Sequence, residues 1–480
     1  MRLPSYFFLL TSRLLTSLLL ASLLLDSAQA ATPRSLRVDI QHSGDAKVEH
    51  YSLERVVLEP LPWAGNPARP IDDSNRGAQK FEVVDAASGK LLYSRGYSTV
   101  FGEWRTTEES QDAQRSFQES LRFPMPERPV KLTIYSRDAM NAFVPSWSVM
   151  IDPASPQIER VVPPLSAKPI AIRHNGDSAH KVDLLLLGDG YTAAEMGKFE
   201  ARARALTTYL FSLSPFKERA SDFNVWALAV PVPESGISRP SSGVHRASST
   251  GARYDVFGLE RYVLTLDNRA FRELAQHAPY DAVEIVVNGQ TYGGGGIFGQ
   301  FSTVAADNAF RDYLLVHEFG HHFAGLADEY YTSPVAYASM DRPTAEPWEP
   351  NVTALLDPSH LKWSRGASSP VPLPTPWPKA EFEAQQRDVQ VRRAKLRVEQ
   401  RPESEMDALL EDSQTDVEAL FAQAQYRDAI GAFQGANYSA TGYYRPQLQC
   451  MMFTRADAFC DVCRHAIEQI IDLYSDRQSP

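Results

Sequence analysis

The sequence predicts a multidomain chain, with an N-terminal β-sandwich followed by an α/β domain of α+β character. Three observations carry this. Residues 35 to about 155 hold short β-type runs separated by turn residues at close spacing. Past residue 170, short continuous apolar runs alternate with helical patterns, the mark of buried strands packed by helices. Between the two parts, Pro153 to Pro169 is proline-rich and reads as a linker.

The expected division is residues 1–30 as a leader, 31–155 as the β-sandwich, 156–170 as the linker and 171–475 as the second domain. At 480 residues the chain can bury two or three cores. Hydrophobic content of 43% and charged content of 22% are those of a soluble globular protein. The first thirty residues differ. Arg2 and Arg13 flank an apolar run, Leu14 to Leu25, and Ala28-Gln29-Ala30 offers a small-residue cleavage site. This reads as a secretory signal peptide, so the mature protein is expected in a periplasm or outside the cell. No later stretch reaches the ~20 apolar residues of a membrane span. Cleavage leaves 46 basic against 58 acidic side chains, a net charge of −12. That balance argues against nucleic acid as a partner.

Within the first domain, Phe81 to Asp85 and Leu91 to Tyr93 flank an Ala-Ser-Gly turn and predict a hairpin. Lys131 to Tyr135 and Ser148 to Ile151 predict further strands. Tyr97 to Trp104 is rich in aromatic residues and is expected to pack in a core. In the second domain Val182 to Leu187 is a continuous apolar run, a buried strand. A helix is expected from about Ala193 to Phe211, with Thr192 and Glu195 spaced for a capping box. Asn224 to Val230 and Ala282 to Val287 predict two more strands.

Tyr292 to Gly299 contains the run Gly293 to Gly296. No Lys-Ser/Thr follows, so it is not a phosphate loop. Glycines in a strand let another backbone approach closely. Gly293, Gly294 and Gly295 are therefore expected to form an edge for an extended peptide. Further on, Ala380 to Gln425 is charged, rich in alanine and broken at Pro402, which predicts two solvated helices. Phe459, Val462, Cys463, Ala466, Ile467, Ile470, Ile471 and Tyr474 follow a helical period and predict a closing amphipathic helix.

The stretch that carries chemistry is Tyr313 to Tyr331. It contains His317-Glu318-Phe319-Gly320-His321. On a helix, two residues four apart are separated by about 40° in phase and one turn in height. Both imidazoles can then reach one metal ion, with Glu318 placed to polarise a metal-bound water. A catalytic zinc needs a third protein ligand. Asp328 lies eleven residues after His317, so a continuing helix would carry it roughly 16 Å along the axis, against a zinc–oxygen bond of about 2 Å. It can be a ligand if the chain turns back, and Gly325 can supply a left-handed turn. Glu329 is the neighbouring alternative.

Three cysteines, Cys450, Cys460 and Cys463, cluster near the C-terminus. An exported chain meets oxidising conditions, so a disulfide from Cys450 to either of the others is expected. A Cys-x-x-Cys zinc or redox site is the other reading, although no second such pair exists to complete it.

The motif with its later glycine and its Asp328-Glu329-Tyr330 ending resembles the bacterial IgA-peptidase family of zinc metallopeptidases, which are metzincin-like. Leu184 to Thr192, Phe223 to Trp226, Tyr292-Gly293-Gly294, Pro350 to Thr353, Lys362-Trp363 and the run ending at Pro376 extend the likeness. So do Gly431 to Ala436, Tyr444-Arg445-Pro446, Cys450-Met451-Met452 and Cys460 to Cys463. The N-terminal region looks like the family's accompanying β domain. The resemblance implies one catalytic Zn²⁺ held by His317, His321 and Asp328, with Glu318 as general base. It implies a Met-turn beneath the metal at Met452 or its neighbour Met451. Two departures stand out. Gly325 lies one residue later than in the usual metzincin spacing, and the third ligand is acidic where many metzincins use histidine. The helices at about 380–425 look like an insertion relative to the family.

The expected protein is thus an exported zinc endopeptidase acting on protein or peptide substrates. Tyr438, Tyr443, Tyr444 and His322 are the candidate oxyanion donors. Two rivals follow from other readings of the same residues. One is a binding protein with a structural zinc and a β domain that recognises glycan or protein. The other takes its third ligand from a later Glu, with Glu346 and Glu349 to choose from.

Overall fold

The computed structural model describes residues 32–335, 343–364, 366–368 and 370–476. The expected leader falls outside the described residues. The N-terminal part holds β1 (Arg34–Gly44), β2 (Glu49–Pro62), β3 (Gln79–Asp85), β4 (Leu91–Tyr97), a short helix α1 (Val100–Arg105), β5 (Arg115–Pro124), β6 (Val130–Arg137), β7 (Phe143–Ile151) and β8 (Ile158–Glu159). They form two four-stranded sheets, in the orders β5-β1-β2-β8 and β4-β3-β6-β7. Alternate residues of each strand point inward. Leu36, Val38 and Ile40 of one sheet meet Phe81, Val83 and Leu132 of the other in a shared core.

The expected linker is not bare connection. Ile158 is buried and pairs in parallel with Val56, so the chain returns to the first sheet before it crosses over. The aromatic segment forms α1. Thr99 caps it by accepting the Gly102 N–H at 2.8 Å, and Phe101 and Trp104 are fully buried against Phe117.

The second part runs through β9 (Ile170–Arg173), β10 (Val182–Asp189), α2 (Met196–Leu210), β11 (Phe223–Ala229), β12 (Ala252–Arg253), β13 (Leu264–Thr265), α3 (Asn268–Ala275), β14 (Ala282–Val287), β15 (Gly294–Ile297), β16 (Phe301–Ala305) and α4 (Arg311–Ala324). It closes with α5 (Lys379–Val398), α6 (Glu403–Phe421), β17 (Phe433–Ala436), β18 (Ser439–Arg445) and α7 (Asp461–Tyr474). The main sheet has the order β15-β16-β14-β10-β11-β9. Its inner pairs are parallel, and the edge strands β15 and β9 are antiparallel. Every residue of β10 is buried, as its continuous apolar run requires. Leu184 and Leu186 face α2, α4 and α7, while Leu185 and Leu187 face α3. Helix α3 is short and carries no long periodic pattern. It is fixed by Asp267, which accepts the Ala270 N–H at 2.9 Å, and by burial of Phe271 and Leu274.

Helices α5 and α6 correct the expectation of two solvated helices. Phe382, Met406, Leu410, Val417 and Phe421 pack into the same core as α4. Charge dominates their composition, but one face of each is buried. The N-terminal part docks through polar contacts. Arg76 donates to the carbonyls of Ala324 and Ala466, at the ends of α4 and within α7, at 3.0 and 2.8 Å. Arg37 pairs with Asp39, Glu59 and Glu273, so β1 is tied to α3.

The glycine run decides where α4 sits. A Cβ on Gly296 would lie 2.5 Å from the Glu318 carbonyl oxygen, and one on Gly294 would lie 2.9 Å from Glu318 Cγ. The backbone that approaches β15 closely is that of α4. Gly296→Val is expected to destabilise the protein by about 1–3 kcal/mol through overpacking. Gly197→Ala in α2, where a Cβ meets nothing within 4 Å, is the control. Equal thermal midpoints for the two variants would remove this account of the packing.

Candidate metal centre

Helix α4 buries Leu314, Leu315, Val316, Phe319 and Phe323 and turns His317, Glu318 and His321 toward a cleft. It ends at Gly325, whose φ of 63° is left-handed. The Leu326 N–H reaches back to the Gly320 carbonyl at 3.3 Å, closing the turn. The chain then reverses and brings Asp328 under the two histidines. Asp328 Oδ1 lies 3.1 Å from His317 Nε2 and 3.3 Å from His321 Nε2. The two Nε2 atoms are 3.2 Å apart.

The orientation of each ring is set by its other nitrogen. His317 Nδ1 lies 3.0 Å from the Met451 carbonyl, and His321 Nδ1 lies 2.6 Å from that of Leu326. A carbonyl can only accept, so both rings carry their proton on Nδ1 and aim the Nε2 lone pair inward. Asp328 Oδ1 is buried and receives no hydrogen bond, although two ring nitrogens stand beside it. Three possible ligand atoms therefore converge on one point. This is a two-nitrogen, one-oxygen set of the kind that zinc takes. Among the described residues no fourth His, Cys, Asp or Glu joins the group, which lines the cleft. Burial lowers the His321 pKa, but the Asp328 carboxylate outweighs it and lifts it to about 9, so a proton competes with the metal here. Burial raises the Asp328 pKa, yet the two histidines hold it far below the usual carboxylate range.

Other groups brace the returning segment. Asn351 accepts the Ala327 N–H at 2.8 Å and donates to its carbonyl at 2.9 Å. The Tyr438 hydroxyl donates to Asp328 Oδ2 at 2.6 Å. Asn437 donates its N–H to the Asp328 carbonyl at 2.9 Å. The sequence marked Asn351 as part of a matching run but gave it no role, because its partners lie on a segment far away in the chain. Met452 packs beneath α4, with its sulfur 3.1 Å from where a Cβ on Gly320 would stand.

Glu318 lines the cleft without joining the donor group. Burial raises its pKa, with the two histidines opposing. Glu329 points elsewhere, into the buried cysteines. Glu349 lines the cleft but lies outside the donor group, and Glu346 accepts from Thr353 and the Ala354 N–H.

The cleft is about 490 Å³ and is walled by Arg261, Tyr262, Tyr330, Tyr438, Trp348 and, from the first domain, Glu103. Arg261 carries no sequence signal, and Tyr330 entered the sequence reading only as the end of the Asp328-Glu329-Tyr330 run, with no role attached. Arg261 donates to the Tyr330 hydroxyl at 3.3 Å, and the Tyr330 ring stacks over His317 with centroids 6.4 Å apart. Of the proposed oxyanion donors, Tyr438 faces the cleft. His322 does not: burial drops its pKa to about 3, and its ring joins the Ile297 carbonyl to the Val283 N–H in the core. Tyr443 packs on Ala327, Val352 and Ala436, and Tyr444 on the Leu361 and Trp363 cluster.

The expected peptide edge also needs correction. Gly293 and Gly295 turn their polar groups to β16. Both polar groups of Gly294 are taken by Arg261 and Val263, at 3.1 Å each. Gly296 lines the cleft together with Gly294 and Arg261, and the Ser98 N–H covers the Phe298 carbonyl beyond it.

A family model described as IgA Peptidase M64 matches residues 170–471. A second, described as Peptidase M64 N-terminus, matches residues 27–148. No curated protein matches the chain.

Proposed function

The chain belongs to the IgA peptidase M64 family, and we propose that it is an exported, zinc-dependent endopeptidase with a metzincin-like catalytic domain. The observation that supports this most is the convergence of His317 Nε2, His321 Nε2 and the hydrogen-bond-free Asp328 Oδ1 on the floor of a cleft beside Glu318. His317, His321 and Asp328 would hold the ion. A bound zinc supplies polarisation of the scissile carbonyl and a water of lowered pKa.

The remaining chemistry belongs to side chains of this protein. Glu318, whose pKa is raised by its burial, takes a proton from the attacking water as a carboxylate and passes it to the leaving amine. Tyr330 accepts a hydrogen bond from Arg261, which leaves its own hydroxyl proton free to meet charge developing on the substrate oxygen. The Met451 carbonyl and the Leu326 carbonyl keep both imidazoles in register. An extended substrate would lie along Gly296, between the Arg261 loop and Ser98.

The structural-zinc reading would need a closed centre with four protein ligands, and the donor group has three. Chelation provides the direct test. Dialysis of the mature protein against a chelator is expected to remove hydrolysis of a denatured protein pool, and one equivalent of zinc is expected to restore it. Undiminished cleavage by metal-free protein would refute the mechanism.

A further inference from the structure

Behind the first donor group lies a second. Glu329, Cys450, Cys460 and Cys463 bring a carboxylate oxygen and three sulfurs within 4.8 Å of one another, and all four residues are buried. The expected disulfide is absent, because all three cysteines are free. Cys450 Sγ and Cys463 Sγ are 3.7 Å apart. Thiolates held at about 2.3 Å by a tetrahedral zinc stand about 3.8 Å from each other. Glu329 Oε1 takes the Asn351 amide at 3.0 Å and the Cys463 thiol at 3.4 Å. Its Oε2 is buried with no hydrogen bond, a costly state for a carboxyl oxygen.

The surroundings carry compensating charge. Arg445 is fully buried and acts electrostatically on Glu329 and Cys450, and Arg76, itself 4% exposed, acts on Cys463. Three thiolates and a carboxylate around a divalent ion leave two negative charges, which two guanidinium groups offset. A buried charge needs such a partner.

We propose that Cys450, Cys460, Cys463 and Glu329 form a closed structural zinc site, separate from the His317, His321 and Asp328 centre. Soft sulfur ligands with one oxygen select a thiophilic ion of this type. Its place in the chain gives it work. Glu329 directly follows Asp328, and its N–H is held by the Met452 carbonyl at 2.8 Å. Cys450 precedes Met451, whose carbonyl orients His317. Cys460 caps α7, and Cys463 lies in its first turn. One ion would therefore join the third-ligand strand, the Met-turn and the closing helix. The site goes beyond the peptidase reading and does not depend on it.

Cobalt(II) substitution of the full mature chain, isolated without added reductant, separates the two centres. The first has no sulfur ligand, so thiolate-to-cobalt charge transfer in the near ultraviolet reports on the second alone. That band is expected, and chelator with denaturant should then release all three thiols. His317→Ala/His321→Ala should keep the band, and about one equivalent of zinc should remain. Cys460→Ser should weaken it. Three free thiols without a band, or a single free thiol because the other two are oxidised to a disulfide, would overturn the proposal.

Discussion

Glu318→Gln is expected to cut kcat/KM by about 10²–10⁴-fold while the metal content stays unchanged. Glu318 is not among the three converging donors, so removing its charge leaves the ligand set intact. The substitution keeps the side chain's shape, which matters because Glu318 packs close against Gly294, where a Cβ would lie 2.9 Å from Glu318 Cγ. What is lost is a proton acceptor whose pKa burial has raised. Glutamine can still accept a hydrogen bond from water but cannot take its proton. The measurement pairs steady-state cleavage of a fluorogenic peptide with metal analysis of the same preparation. Wild-type turnover by Glu318→Gln would assign the proton transfer to another group.

Asp328→Ala is expected to lose the metal itself. The carboxylate supplies one of three ligand atoms and the one negative charge among them. Loss of a mere outer partner of a ligand costs about 10–100-fold in metal affinity, so loss of the ligand should cost at least the upper end of that range. The variant also leaves Tyr438 without the acceptor it holds at 2.6 Å. Purified Asp328→Ala should carry about one equivalent less zinc than the wild type and show little hydrolysis. Excess zinc should recover part of its activity but none of that of Glu318→Gln. This difference separates a binding defect from a chemical one. Full zinc content in Asp328→Ala would move the third ligand elsewhere.

Much of the centre was legible because helical geometry is local. The spacing of His317 and His321 fixes their shared face whatever surrounds the helix. The need for a reversal at Gly325 followed from the same arithmetic, since Asp328 on a straight helix would lie too far away. The capping box of Thr192 and Glu195 was legible for the same reason, and both of its hydrogen bonds form, the Thr192 N–H donating to Glu195 Oε2 at 3.0 Å. The run Val182 to Leu187 predicted a strand buried on both faces because Leu184 to Leu187 put apolar side chains on both of them.

What escaped was everything that depends on distant partners. Arg261 and Tyr330 reach the cleft because the Arg261 loop pairs with Gly294 and the chain reverses after α4. Helices α5 and α6 read as solvated because their charge hides a narrow apolar face.

The sequence by itself determined the buried strands, the helix that carries His317, Glu318 and His321, and the presence of a turn that can return Asp328. Each rests on short-range periodicity or on the conformational freedom of one glycine. Only the tertiary structure put Asp328 rather than Glu329 beside the histidines, although the two are adjacent and chemically alike. Successive residues of an extended segment point in opposite directions. One carboxylate therefore faces the histidines and the other the cysteines.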